Sequence, residues 1–259
     1  MITADVLRKL RDCPLDLPED MSAAKTSYVA YTVGIEPEQV TPFQHPIFRD
    51  FKGFIVTQHG PYYGTLIIAD IPHNIVIQGY PELGELDLEA VKDKHLYCER
   101  FNSGVVVSAT FHENLKSTSL GIQGLLLRSN SEYVLQDDLP FKKALELHVT
   151  AGKLAAMLND INMTMFFELS KEGVQVIDVA GNRDFIFQNR FRKVSLCEKY
   201  GLPVNGCDNE FQASGFSVEG KLRGMKERAA ANNLSGYLVK CYLPDEFIVG
   251  KLTAMKVIQ

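Results

Sequence analysis

Few side chains in this 259-residue sequence are spaced for chemistry. The histidines His45, His59, His73, His95, His112 and His148 never fall into an HxH or HxxxH pattern, so they offer no paired metal ligands. The cysteines Cys13, Cys98, Cys197, Cys207 and Cys241 are odd in number, scattered and never spaced as CxxC; they read as reduced, mostly buried thiols. The phosphate-cradling patterns GxGxxG and GxxxxGK[ST] are absent, as is the GxSxG nucleophile turn. Two features remain. Glu168 stands in the apolar run MTMFFELS, where a buried carboxylate needs a partner whether it serves a ligand or the structure. Arg183, Arg190, Arg192 and Lys193 crowd one segment, most simply a solvated basic face.

The elements that must position these groups follow from patterning. Thr3–Cys13 places Val6, Leu7 and Leu10 on one helical face behind a Thr3 cap, and Pro14 ends it. Runs rich in β-branched and aromatic residues follow: YVAYTVGI from Tyr28, GFIVTQ, YGTLIIADI, NIVIQGY, LYCERFNSGVVVSATF and GLLLRS. Punctuated by Gly, Pro, Asn or His, they predict strands. After Asp137 and Asp138, the segment 139–161 carries Leu145, Val149, Leu154 and Leu158 at helical spacing. MTMFFELS, VQVIDVAG and DFIFQNRF predict three further strands, Lys221–Asn232 a helix, and LSGYLVKCYL and FIVGKL the closing strands. The order implies an α+β fold with largely antiparallel sheets. It divides into an N-terminal helix and arm (1–27) and a single domain (28–259).

Composition narrows the classes. With 46% hydrophobic residues the chain can build a good-sized core. A net charge of −5 argues against a nucleic-acid grip, which ordinarily shows as a basic stripe. No run approaches the ~20 apolar residues of a membrane span, and Met1–Pro14 carries charges throughout in place of a signal core. The expectation is a soluble cytoplasmic protein with no membrane partner.

Seven segments, in order, resemble those of the phage-type RNA ligases of the covalent nucleotidyltransferase superfamily. FRDFKGFIV (Phe48–Val56) resembles the upstream Arg-Gly segment, and PELGE (Pro81–Glu85) an Asn-Leu-Gly-Glu-like stretch. YCERFNSGVVV (Tyr97–Val107) is similar to the Lys-x-Asp-Gly motif whose lysine takes AMP. LLLRSNS (Leu125–Ser131) resembles the basic-Ser-x-Gly-Ser strand, and FFELSKEGVQVIDV (Phe166–Val179) the Phe-Glu hairpin, with Arg190 ending FQNR after it. LSGYLVK (Leu234–Lys240) is similar to the Glu-Gly-hydrophobic-Val motif, and VGKLTAMKV (Val249–Val257) to the terminal Lys-x-Lys strand.

The resemblance implies an adenylation-domain fold and a lysine amine that attacks the α-phosphate of ATP. In that alignment Arg100 replaces the lysine, and a guanidinium keeps its proton and delocalises its lone pairs. Asn102 stands for the Asp, Ser103 for the Gly, Ser235 for the acid of the fourth motif and Thr253 for the second terminal lysine, while Lys251 remains. The nearest lysines, Lys92 and Lys94, have no Asp-Gly after them. No catalytic residue and no metal ligand is therefore assigned, and no cofactor is expected. The expected binding cleft comprises Arg100, Asn102, Arg128, Glu168, Arg190, Ser235, Tyr237 and Lys251. Tyr97–Val107, Phe166–Val179 and Leu234–Lys240 should converge there as strands, bringing Arg100, Glu168 and Ser235 within reach of one small molecule.

The sequence stops close after the last motif, so a C-terminal RNA-recognition domain is not expected. The resulting expectation is an inactive, ligase-like protein repurposed to bind a peptide or protein. The alternatives are an active ATP- and Mg²⁺-dependent RNA ligase or nucleotidyltransferase, and a non-catalytic nucleic-acid binder.

Overall fold

A computed structural model describes residues 1–15, 21–44, 49, 51–70, 72–115, 118–119, 121–129, 145–214 and 217–255. Asp137 and Asp138, the first residues of the expected long helix (139–144), the end of the LLLRSNS segment and Lys256 lie outside these residues. Along the chain run β1 (Ile2–Thr3), α1 (Ala4–Arg11), α2 (Ser22–Val33), β2 (Val40–Gln44), β3 (Lys52–Val56), β4 (Leu66–Ile68) and β5 (Ile75–Ile77). There follow β6 (His95–Phe101), β7 (Val105–Phe111), β8 (Thr118–Ser119), β9 (Ile122–Gln123), β10 (Leu125–Ser129) and α3 (Ala151–Ile161). The last are β11 (Met163–Ser170), β12 (Gly173–Gly181), α4 (Arg190–Tyr200), β13 (Cys207–Gln212), α5 (Ser217–Ala231), β14 (Gly236–Tyr242) and β15 (Glu246–Thr253).

Antiparallel pairing builds three main sheets: β1-β15-β14-β6-β13, β10-β7-β11-β12 and β2-β3-β4-β5. Strand alternation decides what each face meets. On β6 and β14, Leu96, Cys98, Tyr237, Val239 and Cys241 pack on Leu222, Met225 and Ala229 of α5. The opposite face carries Phe101, Leu238 and Phe247, which meet Phe166 and Ile177 of the second sheet. That sheet turns its other face, with Val107, Leu127, Met165 and Val179, to Leu154 and Leu158 of α3 and Leu196 of α4. The layers are thus α5, first sheet, second sheet, and α3 with α4. The third sheet packs beside them on α1 and α2 through Leu7, Leu10, Val29, Phe54 and Ile67. No helix among the described residues is long and apolar enough to cross a membrane.

The α+β class and most strands agree with the patterning, and four local expectations do not. YVAYTVGI is the second half of α2, ended by Gly34 at φ 79. Its β-branched content suggested a strand, but Val29 and Ala30 bury against α1 and the third sheet, and packing outweighs propensity. DFIFQNRF is no strand: Asn189 caps α4 by accepting the Arg192 amide at 3.0 Å, so the basic segment turns helical there. The predicted helix is interrupted: Leu145 and Glu146 are helical, a turn follows, and α3 starts afresh at Ala151 behind the Thr150 cap, with Leu145 and Val149 buried. Lys193 is wholly buried and Arg190 mostly so, which corrects the reading of that segment as a solvated face; only Arg183 and Arg192 are exposed.

Candidate functional site between the first two sheets

The segments singled out in the sequence meet at one end of the two sheets, where β6 turns into β7 through Asn102, Ser103 and Gly104. Ser103 adopts φ 58, the left-handed region. A Cβ on Gly104 would lie 2.3 Å from the Leu169 carbonyl oxygen and 2.8 Å from Glu168 Cγ, so only glycine fits. Glu168 Oε1 accepts the backbone amides of Asn102 at 2.7 Å and Gly104 at 2.8 Å, and Oε2 accepts Gln175 Nε2 at 2.6 Å. This buried carboxylate ties the turn to β11, and its acceptor capacity is directed at the protein itself.

Gly236 pairs with Phe101, and a Cβ there would lie 2.3 Å from the Leu252 carbonyl oxygen. Beside it, the Ser235 carbonyl accepts the Ala254 amide at 3.0 Å. Lys251 donates its amide to Gly84 at 2.7 Å, and Thr253 Oγ1 bonds Glu85 Oε1 at 3.2 Å, which draws in PELGE. The Lys251 ammonium sits 5.4 Å over the Phe101 ring, a cation–π contact.

Arg100 is directed elsewhere. It follows Glu99 and precedes Phe101, both turned toward the second sheet, so it projects on the α5 side, where Nε and Nη2 each lie 2.8 Å from Asp208 Oδ1. The Tyr237 hydroxyl donates to Asp208 Oδ2 at 2.7 Å. Of the eight expected cleft residues, Asn102, Glu168, Ser235 and Lys251 gather at the β6–β7 end. Arg100 and Tyr237 form an outer cluster around Asp208, and Arg128 and Arg190 lie deeper. Arg100 and Glu168 thus point to opposite faces of the first sheet.

An ion network unforeseen from the sequence, buried except for the partly exposed Arg190, joins the two sheets. Glu99 Oε2 accepts Lys193 Nζ and Lys240 Nζ, each at 2.6 Å, and Oε1 accepts Arg190 Nη1 at 3.0 Å. Both ammoniums also donate to the Ile177 carbonyl, at 2.7 and 2.6 Å. Ile177 is the residue skipped where the β11–β12 register shifts, so a β-bulge frees this acceptor. Asp178 takes Lys240 at 2.8 Å, the Tyr242 hydroxyl at 2.7 Å and the Tyr80 hydroxyl. Burial opposes ionisation of Glu99, but the two lysines overcome it and hold its carboxyl down at about 2. Lys193 is lowered too, which for a lysine disfavours the charged form: burial and the neighbouring Lys240 bring it down to about 8. The sequence held one signal for this network, charged residues inside the apolar runs VIDV and YLVKCY.

Around the network Tyr80, Phe166, Phe187 and Phe247 fill the space between the sheets, with Phe187 and Phe247 stacked at 3.9 Å. Arg128 is wholly buried and donates weakly to the Ile77 and Gln78 carbonyls at 3.4 and 3.3 Å, while its Nε and Nη1 have no partner. Burial lowers it to about 9. All five cysteines are unpaired, and burial raises Cys98 to about 12 and Cys197 to about 11, so both remain thiols at neutral pH. Among the described residues no group of three or more His, Cys, Asp or Glu gathers as a metal site.

No protein-family model and no curated protein matches the sequence. Solved structures do match in fold. One archaeal ATP-dependent RNA ligase, form 1, aligns with TM-score 0.64 and 12% identity over 92% of this chain and 65% of that one; form 2 gives 0.60 and 14% over 91% and 64%. A putative ATP-dependent DNA ligase from Aquifex aeolicus gives 0.58 and 15% over 83% and 59%. This chain therefore spans less than two thirds of each, and at these identities the likeness is one of fold.

Proposed function

We propose that this chain, an RNA-ligase-like nucleotidyltransferase domain by fold, is a non-catalytic binding module that holds a peptide or protein partner. One observation carries the loss of catalysis: the turn that would present a nucleophile bears no amine. Gly104 admits no Cβ, so it is the natural counterpart of the glycine in Lys-x-Asp-Gly, and counting back three reaches Phe101. The register of the resemblance then moves by one residue from Arg100, and neither side chain serves. Phe101 is hydrocarbon, and Arg100 faces α5 with a guanidinium that keeps its proton. Attack on a phosphate needs an amine lone pair. Lys193 and Lys240 are buried against Glu99 and Asp178, and aromatic rings fill the space beside Phe101. These residues do not fit ATP as a covalent partner.

Charge supports a peptide or protein over nucleic acid. On the inter-sheet side Arg190, Lys193 and Lys240 are held by carboxylates and Arg128 is buried, in a chain of net charge −5. Such cations are not offered to a phosphate backbone. Backbone recognition at the sheet edges β2 and β13 suits an extended peptide. The unpaired cysteines suit a reducing, cytoplasmic setting.

A second reading, ATP-dependent ligation, is favoured by what the fold neighbours are described as doing. Intact mass after incubation with ATP and Mg²⁺ separates the two, because a covalent adenylyl group adds a fixed mass. Fluorescence titration at about 150 mM salt with RNA oligonucleotides and with a peptide library then tests the partner class. Salt-sensitive RNA binding with no peptide binding would reverse the assignment.

A further inference from the structure

A cleft of about 750 Å³ opens at the far end of β7 from the Asn102–Gly104 turn, walled by β5, the end of β7, the end of α3 and the segment after β12. Its lining is rich in side chains that both donate and accept, among them Thr110, His112, Asn114, Asn159 and Asn182. We propose that this cleft binds a neutral sugar ring through its vicinal hydroxyls.

A closed hydrogen-bonded ring borders the cleft. Thr164 Oγ1 lies 2.8 Å from Asn182 Oδ1 and 3.0 Å from Thr110 Oγ1, and Asn182 Nδ2 donates to Thr110 Oγ1 at 3.4 Å. One proton ordering satisfies all three residues. Thr110 and Thr164 are 3% and 1% exposed, with Ala109 and Phe111 beside one and Met163 and Met165 beside the other. Apolar residues would pack these strands as well, so the polar ring serves to fix Asn182 in place.

The wall groups are matched to neutral ligands. Arg11 and His73 are held by Asp12 at 3.0 and 3.1 Å, Asp70 accepts Asn114 Nδ2 at 3.0 Å and Asp160 accepts the Tyr200 hydroxyl at 3.2 Å, so these four groups are answered inside the protein, while Glu113 and Arg183 stand exposed at the rim. His112 accepts the Asn114 amide at Nδ1, 3.2 Å, which places its proton on Nε2, and burial lowers its pKa. It is a neutral donor at pH 7. A carboxamide presents an acceptor beside a donor and complements two adjacent hydroxyls, which a phosphate, being acceptor-only, does not exploit. The volume suits a ligand of one or two rings. This site is separate from the partner surface proposed above and does not depend on it.

The vicinal diol has two common sources, a saccharide or a ribose, and the test distinguishes them. Saturation-transfer NMR and calorimetry would titrate the intact chain with glucose, galactose, mannose, maltose and cellobiose, and separately with adenosine, uridine and 2′-deoxyadenosine. We expect saturable binding of at least one saccharide or ribonucleoside with Kd of about 0.1–10 mM. The exposed variants Asn114→Ala and Asn159→Ala should each weaken it at least about fivefold, as loss of one hydrogen bond does, with unchanged Tm. Ribonucleoside binding that 2′-deoxyadenosine does not share would assign the diol to ribose. Three results would overturn the proposal: no saturation by any probe, equal binding of adenosine and 2′-deoxyadenosine without saccharide binding, or binding indifferent to both variants.

Discussion

Replacing Glu99 by glutamine tests the network that joins the two sheets. In the native protein two buried carboxylates, Glu99 and Asp178, face Arg190, Lys193 and Lys240, and Glu99 touches all three cations. Glutamine keeps the shape, removes the charge and turns an N–H toward an ammonium. Stripping one partner from a buried network costs about 3–5 kcal/mol. The acid side gives an independent figure: lowering the carboxyl from the ordinary 4.5 to about 2 contributes roughly 3 kcal/mol, at about 1.36 kcal/mol per pH unit. Because the folded-state value is depressed, this stability is complete above about pH 4.5 and fades as pH falls toward 2. Urea unfolding followed by circular dichroism would read it. With an m-value of about 3 kcal/mol/M, the Glu99→Gln midpoint at pH 7 should fall by about 1 M or more, and the gap to wild type should narrow below pH 4.5. The quadruple change Glu99→Leu, Asp178→Asn, Lys193→Met, Lys240→Met removes two charges of each sign, leaves only the partly exposed Arg190, and should cost less than Glu99→Gln alone. A Glu99→Gln midpoint within about 0.3 M of wild type, or a gap indifferent to pH, would refute the reasoning.

Other expectations follow from single contacts. Incubation with ATP and Mg²⁺ should give no mass increase in the wild type, nor in Arg100→Lys, whose amine would still face α5; an adenylylated peptide mapped to any lysine would contradict this. Arg128→Met should leave the urea midpoint unchanged or raise it, because it removes a buried guanidinium with two unpartnered nitrogens; a loss above about 3 kcal/mol would show an unrecognised partner. Glu168→Ala should cost about 2–4 kcal/mol and speed hydrogen exchange at the Asn102 and Gly104 amides above all others, since both lose their acceptor.

The fold was largely legible because strand signals are local. The runs around FIV, LII, IVI, VVVSATF, LLLRS, MTMFFELS and VQVIDVAG each contain an observed strand. What failed was decided by distant partners. Val29 and Ala30 become helical because a wall of α1 and the third sheet receives them, and no local pattern announces that wall. Lys193 looks like any lysine in a basic run until α4 turns it onto Glu99, 94 residues away in sequence. The candidate site was legible as a set of segments and not as side chains. A slip of one residue along a strand exchanges its faces, and so it decides whether Arg100 or Phe101 looks into the inter-sheet space. Only the tight contact of Gly104 with Leu169 fixes that register.

The inter-sheet space also constrains where a partner can sit. Stacked Phe187 and Phe247, the Phe101 ring under Lys251 and the Glu99–Asp178 network occupy the volume between the sheets, so a ligand entering there would have to break buried ion pairs. An extended peptide meets no such barrier at the outer edges, β2 and β13. On the proposed reading, stability and partner binding belong to different residues. Changes to Glu99, Phe187 or Phe247 should lower the unfolding midpoint and leave the affinity of the folded fraction alone. Proline at an outward-facing amide of β2 or β13 should do the reverse, because it removes one backbone donor from a strand already at the sheet's margin. That separation is what the proposed binding module would display, and a proline that weakened the fold and the peptide affinity together would count against it.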